Sequence, residues 1–199
     1  MVYRPKILAF AGSLRKESTN KKILHIAVEG AKEAGADVTV VDLAQYPLPI
    51  YNQEIEDNEG LPENAIKLKK LMLEHDGLLI ASPEYNSSIS GALKNTIDWI
   101  SRKADPKEPT LSAFDGKIAG LIATSPGGLG GLRGLVHLRS ILENIRVMVI
   151  PEQKTIPNNT GVFDPDGGLI DEKQAKALQH VGAKLTQVLQ KLSSGLNRE

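Results

Sequence analysis

Five short apolar runs, Ile7 to Ala11, Val38 to Val41, Leu78 to Ala81, Ile118 to Thr124 and Val147 to Ile150, alternate with segments of helical spacing. Runs so brief and so uniformly apolar read as strands covered on both faces. The fifth ends at Pro151. Between them, Ile23, Leu24, Ala27, Val28 and Ala31 recur on one helical face that Gly35 closes. A second helix is expected from about Glu63 to Glu74, a third from a Ser90 cap through Ile100, and a fourth carrying Leu135, Leu138, Ile141, Leu142 and Ile145. The last opens with Asp171 and Gln174 in capping-box positions and continues to Leu192. Alternation of this kind predicts an α/β fold, a doubly wound parallel sheet with helices on both faces.

A chain of 199 residues suits one domain, expected over 1–199 with 193–199 as a frayed tail. Lysine plus arginine balance aspartate plus glutamate at 24 each, so no strong field draws the chain to nucleic acid or acidic lipid. Cysteine is absent, which removes disulfides, thiolate metal sites and cysteine nucleophiles together and fits a reducing cytoplasm. Met1 to Lys6 lacks the apolar stretch of a signal peptide, and no run approaches the ~20 residues of a membrane span.

In a doubly wound sheet, ligands sit beyond the carboxyl ends of the strands. Three loops there have unusual sequences. Gly12 to Asn20 joins the first strand to the first helix and carries Ser13, Ser18, Thr19, Arg15 and Asn20 beside the unpaired N–H groups of the coming helix. That set makes an anion cradle at a positive helix end. It lacks the Gly-Lys-Ser/Thr of a P-loop and the glycines of a dinucleotide turn, and its hydroxyls with one guanidinium suit a terminal phosphate monoester. A polar cap on a solvated helix would use the same residues. The second loop, Pro83-Glu84-Tyr85-Asn86, is stiffened by proline and can aim backbone groups at the edge of a flat heterocycle, with Tyr85 adding planar surface. Alone, it is also an ordinary turn. The third, Ser125 to Gly131, has four glycines, where backbone can approach a ligand closely or simply form a flexible connector.

The segment Leu43 to Pro62 is longer than a crossover requires, which suggests a functional loop or one buried by a partner subunit. The four histidines show no metal-ligand spacing, so no metal is expected. Trp99 reads as packing and Arg102 with Lys103 as partners of their helix dipole. No nucleophile elbow surrounds Ser82 or Ser125, and no catalytic side chain is assigned.

Together the three loops resemble the NADPH-dependent FMN reductase family of flavodoxin-like proteins, which includes bacterial quinone and chromate reductases. The resemblance rests on Gly12-Ser13-Leu14-Arg15 with Ser18 and Asn20, on Pro83 to Asn86 followed by Ser90 to Asn95 and Asp98-Trp99, and on the Ser125-x-Gly-Gly loop. Leu48 to Asn52 looks like the family's extra loop, so the likeness runs from Lys6 to about Leu192. Thr19 stands where the family pattern has a bulkier residue. The resemblance implies a flavodoxin-like five-stranded parallel sheet and bound FMN. Ser13, Arg15, Ser18, Thr19 and Asn20 would hold its phosphate, Pro83, Glu84, Tyr85 and Asn86 would line its ring, and Ser125 with Gly128 would touch the other side. It further implies a homodimer or homotetramer with a site partly built by the neighbouring subunit. NADPH or NADH would deliver hydride and a quinone, chromate, azo compound or free flavin would receive electrons in ping-pong order, because the flavin carries the electronics. A flavodoxin-type electron carrier without reductase activity is the main alternative, and a nucleotide-processing α/β enzyme without flavin is a second.

Overall fold

The computed structural model describes residues 3–196. Five strands form one parallel sheet: β1 (Lys6–Ala11), β2 (Asp37–Val41), β3 (Gly77–Ala81), β6 (Ile118–Thr124) and β7 (Met148–Ile156). Their order is β2-β1-β3-β6-β7, so the winding reverses between β1 and β3. A small antiparallel hairpin, β4 (Glu84–Tyr85) with β5 (Ser88–Ile89), follows β3. The helices are α1 (Thr19–Glu33), α2 (Gln53–Glu59), α3 (Glu63–Leu73), α4 (Gly91–Ile100), α5 (Leu132–Asn144) and α6 (Glu172–Leu196).

Period-two alternation divides the core in two. Ile7, Ala9, Leu79 and Ile122 face a cluster with Ile23, Leu24 and Ala27 of α1 and Leu178, Val181 and Leu185 of α6. Leu8, Phe10, Leu78 and Ile80 face the opposite cluster, with Leu68 of α3, Leu93 and Ile97 of α4 and Leu138 of α5. The doubly wound architecture read from the sequence is the observed one. No helix among the described residues is long and apolar enough to cross a membrane.

Three local expectations are corrected. The fifth strand does not stop at Pro151 but runs on to Ile156. Val149 pairs with Ala119 and Gln153 with Leu121, so residues 150–152 bulge opposite Gly120 alone. A proline on an edge strand needs no ladder donor at such an irregularity, and Arg139 donates to the Val149 and Ile150 carbonyls there. The segment 43–62 is not a bare loop. It holds a 3₁₀ turn at Leu43–Gln45 and α2, which Asn52 caps by accepting from Glu54 N. The helix α6 continues through 193–196, where a frayed tail was expected; residues 197–199 of that tail lie outside the described residues.

The extended stretch before α2 is pinned on α4. Asn95 accepts from Tyr51 N–H at 2.8 Å and donates to the Pro49 carbonyl at 2.9 Å, while Trp99 Nε1 donates to the same carbonyl at 2.8 Å. Trp99 is fully buried and meets Tyr51 edge to face, as its reading as a packing residue required. Arg102 does not serve its helix end but pairs with Glu56 of α2. The histidines take packing and surface roles: His75 lies between the Leu71 carbonyl and Thr39, and His137 beside Ser88.

Candidate functional site

The ends of β1, β3, β6 and β7 surround a cavity of about 240 Å³. Nine of the sequence-derived residues line it: Ser13, Arg15, Ser18, Thr19, Asn20, Pro83, Glu84, Tyr85 and Ser125. Asn86 and Gly128 do not. Thr124, Pro126 and Asn159 line it as well.

The loop between β1 and α1 supplies the polar wall. Ser18 is the N-cap residue of α1, yet its side chain makes no capping bond, so the hydroxyl remains available beside the helix end. Ser13 and Ser18 are both buried, and Arg15 is exposed at the mouth. Asn20, which lines the cavity, also joins two elements. Its Nδ2 donates to the Thr124 carbonyl at 3.0 Å and its Oδ1 accepts from Thr124 N–H at 3.1 Å. This reciprocal pair ties the start of α1 to the end of β6 and so fixes the cradle against the neighbouring strand.

The second wall is the β4–β5 hairpin. Asn86 and Ser87 both have positive φ, 49° and 66°, the signature of a two-residue hairpin turn that favours asparagine. That geometry puts Asn86 at the tip, away from the cavity, and leaves Pro83, Glu84 and Tyr85 to form the wall. The Glu84 carboxylate turns to α5, accepting from Gly134 N–H at 3.1 Å and from Arg133 Nη2 at 2.9 Å. Burial pushes the Glu84 carboxyl up, but the Gly134 amide and the Arg133 guanidinium outweigh it and hold the group below its ordinary value. Its negative charge is thereby satisfied outside the cavity. Ser90 joins the hairpin's exit to the cradle: it caps α4 by accepting from Leu93 N–H and donates to the Gly12 carbonyl.

The glycines of the third loop separate into two kinds. At Gly130 a Cβ would lie 2.7 Å from the Ile156 carbonyl carbon, and at Gly131 2.7 Å from the Ala123 Cβ; both have positive φ. These two let the loop cross β7 and β6 closely. Gly128 has nothing near it and lies in the open. Ser125 is the member of this loop that reaches the cavity with the sequence's forecast, and Pro126 joins it.

A cradle of hydroxyls, a helix start and one guanidinium, set against a stiff hairpin with an aromatic side chain, has the shape and charge to hold a phosphate at one end and a flat ring at the other. The sequence matches the NADPH-dependent FMN reductase family over residues 5–161. The chain belongs to that family. An NAD(P)H:quinone oxidoreductase of Solanum tuberosum is 36% identical over 181 residues, covering 88% of each chain. An NAD(P)H-dependent FMN reductase of Pseudomonas aeruginosa is 34% identical over 175 residues, covering 87% of this chain and 89% of the relative. Among solved structures, FerB of Paracoccus denitrificans, a flavoenzyme NAD(P)H:(acceptor) oxidoreductase, superposes with a TM-score of 0.78 at 29% identity over 94% of this FMN reductase homologue and 98% of FerB.

Asn159 escaped the sequence reading for a physical reason. Ending the fifth strand at Pro151 put Pro157-Asn158-Asn159 far from the carboxyl rim, although a proline and two asparagines after a strand are a turn signal. With β7 extended to Ile156, that turn becomes a fourth rim loop.

Proposed function

We propose that the chain is an FMN-dependent NAD(P)H oxidoreductase that reduces quinones, using the cavity between the loops after β1, β3, β6 and β7. Bound FMN supplies the redox chemistry, accepting hydride from a reduced pyridine nucleotide and returning two electrons to an acceptor. The protein's part is to bind and orient. Ser13, Ser18, Thr19 and Arg15 would hold the phosphate at the start of α1. Pro83, Glu84 and Tyr85 would line the ring on one side and Ser125 on the other, with backbone donors of the hairpin placed where negative charge gathers on reduction.

The observation that carries this reading is the convergence on one cavity of a hydroxyl-rich helix start, a guanidinium without an ion pair among the described residues, and a hairpin whose own carboxylate is neutralised elsewhere. Such a site favours a dianionic monoester joined to a planar ring. The relatives named for quinone reduction supply the acceptor class. Chromate, azo compounds and free flavin belong in the same acceptor panel. The reading also takes residues 1–199 as one domain, working in the cytoplasm as a homodimer or homotetramer, which sedimentation velocity measures.

The test is anaerobic mixing of FMN-loaded protein with NADPH or NADH, followed by a quinone. Bleaching of the yellow flavin by the nucleotide and recovery of colour with the quinone are expected, with parallel lines in double-reciprocal plots. Failure of both nucleotides to bleach the flavin would leave an electron carrier rather than a reductase.

A further inference from the structure

The segment after β7 reaches back across the chain to the first helix. Asn159 Nδ2 donates to Thr19 Oγ1 at 3.0 Å, and both residues line the cavity. The Asn159 backbone N–H donates to the Ser125 carbonyl, and Asn158 N–H to the Gly127 carbonyl, each at 3.3 Å. Farther along, the Lys22 ammonium lies 5.3 Å from the centre of the Phe163 ring, so α1 and this segment are joined at two places.

A hydroxyl has one hydrogen to give and two lone pairs to receive. The carboxamide of Asn159 occupies a lone pair of Thr19 Oγ1 and cannot accept through the same nitrogen. The Thr19 hydrogen is therefore left to another acceptor, and the side chain stands on the first residue of α1, where a negative group is favoured. We infer that Asn159 is a positioning residue that sets the Thr19 hydroxyl as a donor to the terminal phosphate of a flavin mononucleotide. This rests on the phosphate placement proposed above. The loop after the fifth strand thus contributes to cofactor selection.

Aspartate at 159 can only accept from Thr19. It would reverse the bond, draw the hydrogen away from the phosphate and add a repelling charge. Alanine merely frees the hydroxyl to rotate. The experiment measures the dissociation constants of FMN and riboflavin for apoprotein by flavin fluorescence in Thr19→Val, Thr19→Ser, Asn159→Ala, Asn159→Asp and the Thr19→Val/Asn159→Ala double variant. Loss of a donor to a charged group predicts about tenfold weaker FMN for Thr19→Val. Thr19→Ser should keep wild-type affinity, Asn159→Ala should lose less than Thr19→Val, and Asn159→Asp should lose the most. The double variant should be no worse than Thr19→Val alone. Riboflavin, which has no phosphate, should bind all of them equally.

Additive losses, equal losses for both flavins, or wild-type FMN affinity in both Asn159 variants would overturn the inference. So would losses that follow the melting temperature of the apoprotein, since those would mark a structural role. Arg15→Ala run alongside separates the two levels: if it weakens FMN while the Asn159 variants do not, only the positioning role falls. If it also leaves FMN unchanged, the phosphate placement falls with it.

Discussion

Arg15 is the one cation on the cavity wall, and it makes no ion pair among the described residues. A hydrogen bond from a charged donor to phosphate contributes about 1.5 to 3 kcal/mol, so Arg15→Ala should weaken FMN by roughly one to two orders of magnitude. Riboflavin should be almost unaffected; equal loss for both flavins, read by fluorescence titration, would place the phosphate elsewhere. Glu84 makes a second prediction. Its carboxyl lies below the ordinary glutamate value of 4.5, so its contribution to stability is complete above that pH and is lost as pH falls through the lower folded value. Wild-type protein should therefore lose melting temperature below about pH 4.5 more steeply than Glu84→Gln, which has no charge there to lose. Identical slopes would show that the hairpin does not depend on this carboxylate. Both residues were legible in the sequence as rim residues, and both line the cavity, but the direction of the Glu84 side chain was not legible. Its partners at Arg133 and Gly134 lie some fifty positions away and are joined to it by tertiary folding.

At the scale of elements, α1 and α6 approach one another backbone to backbone at Gly30 and Gly182. A Cβ on Gly30 would stand 2.1 Å from the Gln179 carbonyl oxygen, and one on Gly182 would stand 2.0 Å from that of Ala27. Alanine ordinarily stabilises a helix interior relative to glycine by about 1 kcal/mol. Here the methyl would meet rigid backbone, and separating the helices would cost about 1 to 3 kcal/mol or more. Gly30→Ala and Gly182→Ala should each lower the urea midpoint, whereas Gly91→Ala, with open space around it at the start of α4, should leave it level or raise it. A rise at Gly30 would mean that the helices part freely. The elements themselves were readable to differing degrees for physical reasons. The central strands β1, β3 and β6 show as apolar runs because both faces are covered, whereas the edge strands β2 and β7 are partly exposed and β7 was cut short; Ser90 was found as a cap because serine suits that position. The helix α2 was not found, because Gln53–Glu59 buries no residue and has no apolar stripe to reveal its period. It is held by Asn52 at its start and by Arg102 and Tyr51 through Glu56.

For the whole molecule, the consequence is that ligand and fold are coupled at one end of the sheet. The loops after β1, β3, β6 and β7 are already joined to each other by Ser90 to Gly12, Asn20 to Thr124 and Asn159 to Thr19. A ligand touching all four can be released by local opening only if several of these bonds break together, so its binding energy should appear in the global unfolding transition. With free FMN at a hundred times its Kd, the gain is about 2.7 kcal/mol. In a chain of this length, that corresponds to a rise in melting temperature of roughly 5 to 10 °C. Riboflavin at the same concentration should give less, by the share the phosphate contributes. The opposite end of the sheet, where Asp76 accepts from the Lys6 amide and Lys117 donates to the His75 carbonyl, has no contact with the cavity. Hydrogen exchange should accordingly slow in 12–20, 83–90, 124–131 and 156–159 when FMN is added. Exchange in 73–77 and 115–118 should slow only under conditions where amides exchange through complete unfolding. Selective protection of 73–77 and 115–118 under native conditions would move the flavin to the other end of the strands and overturn the coupling.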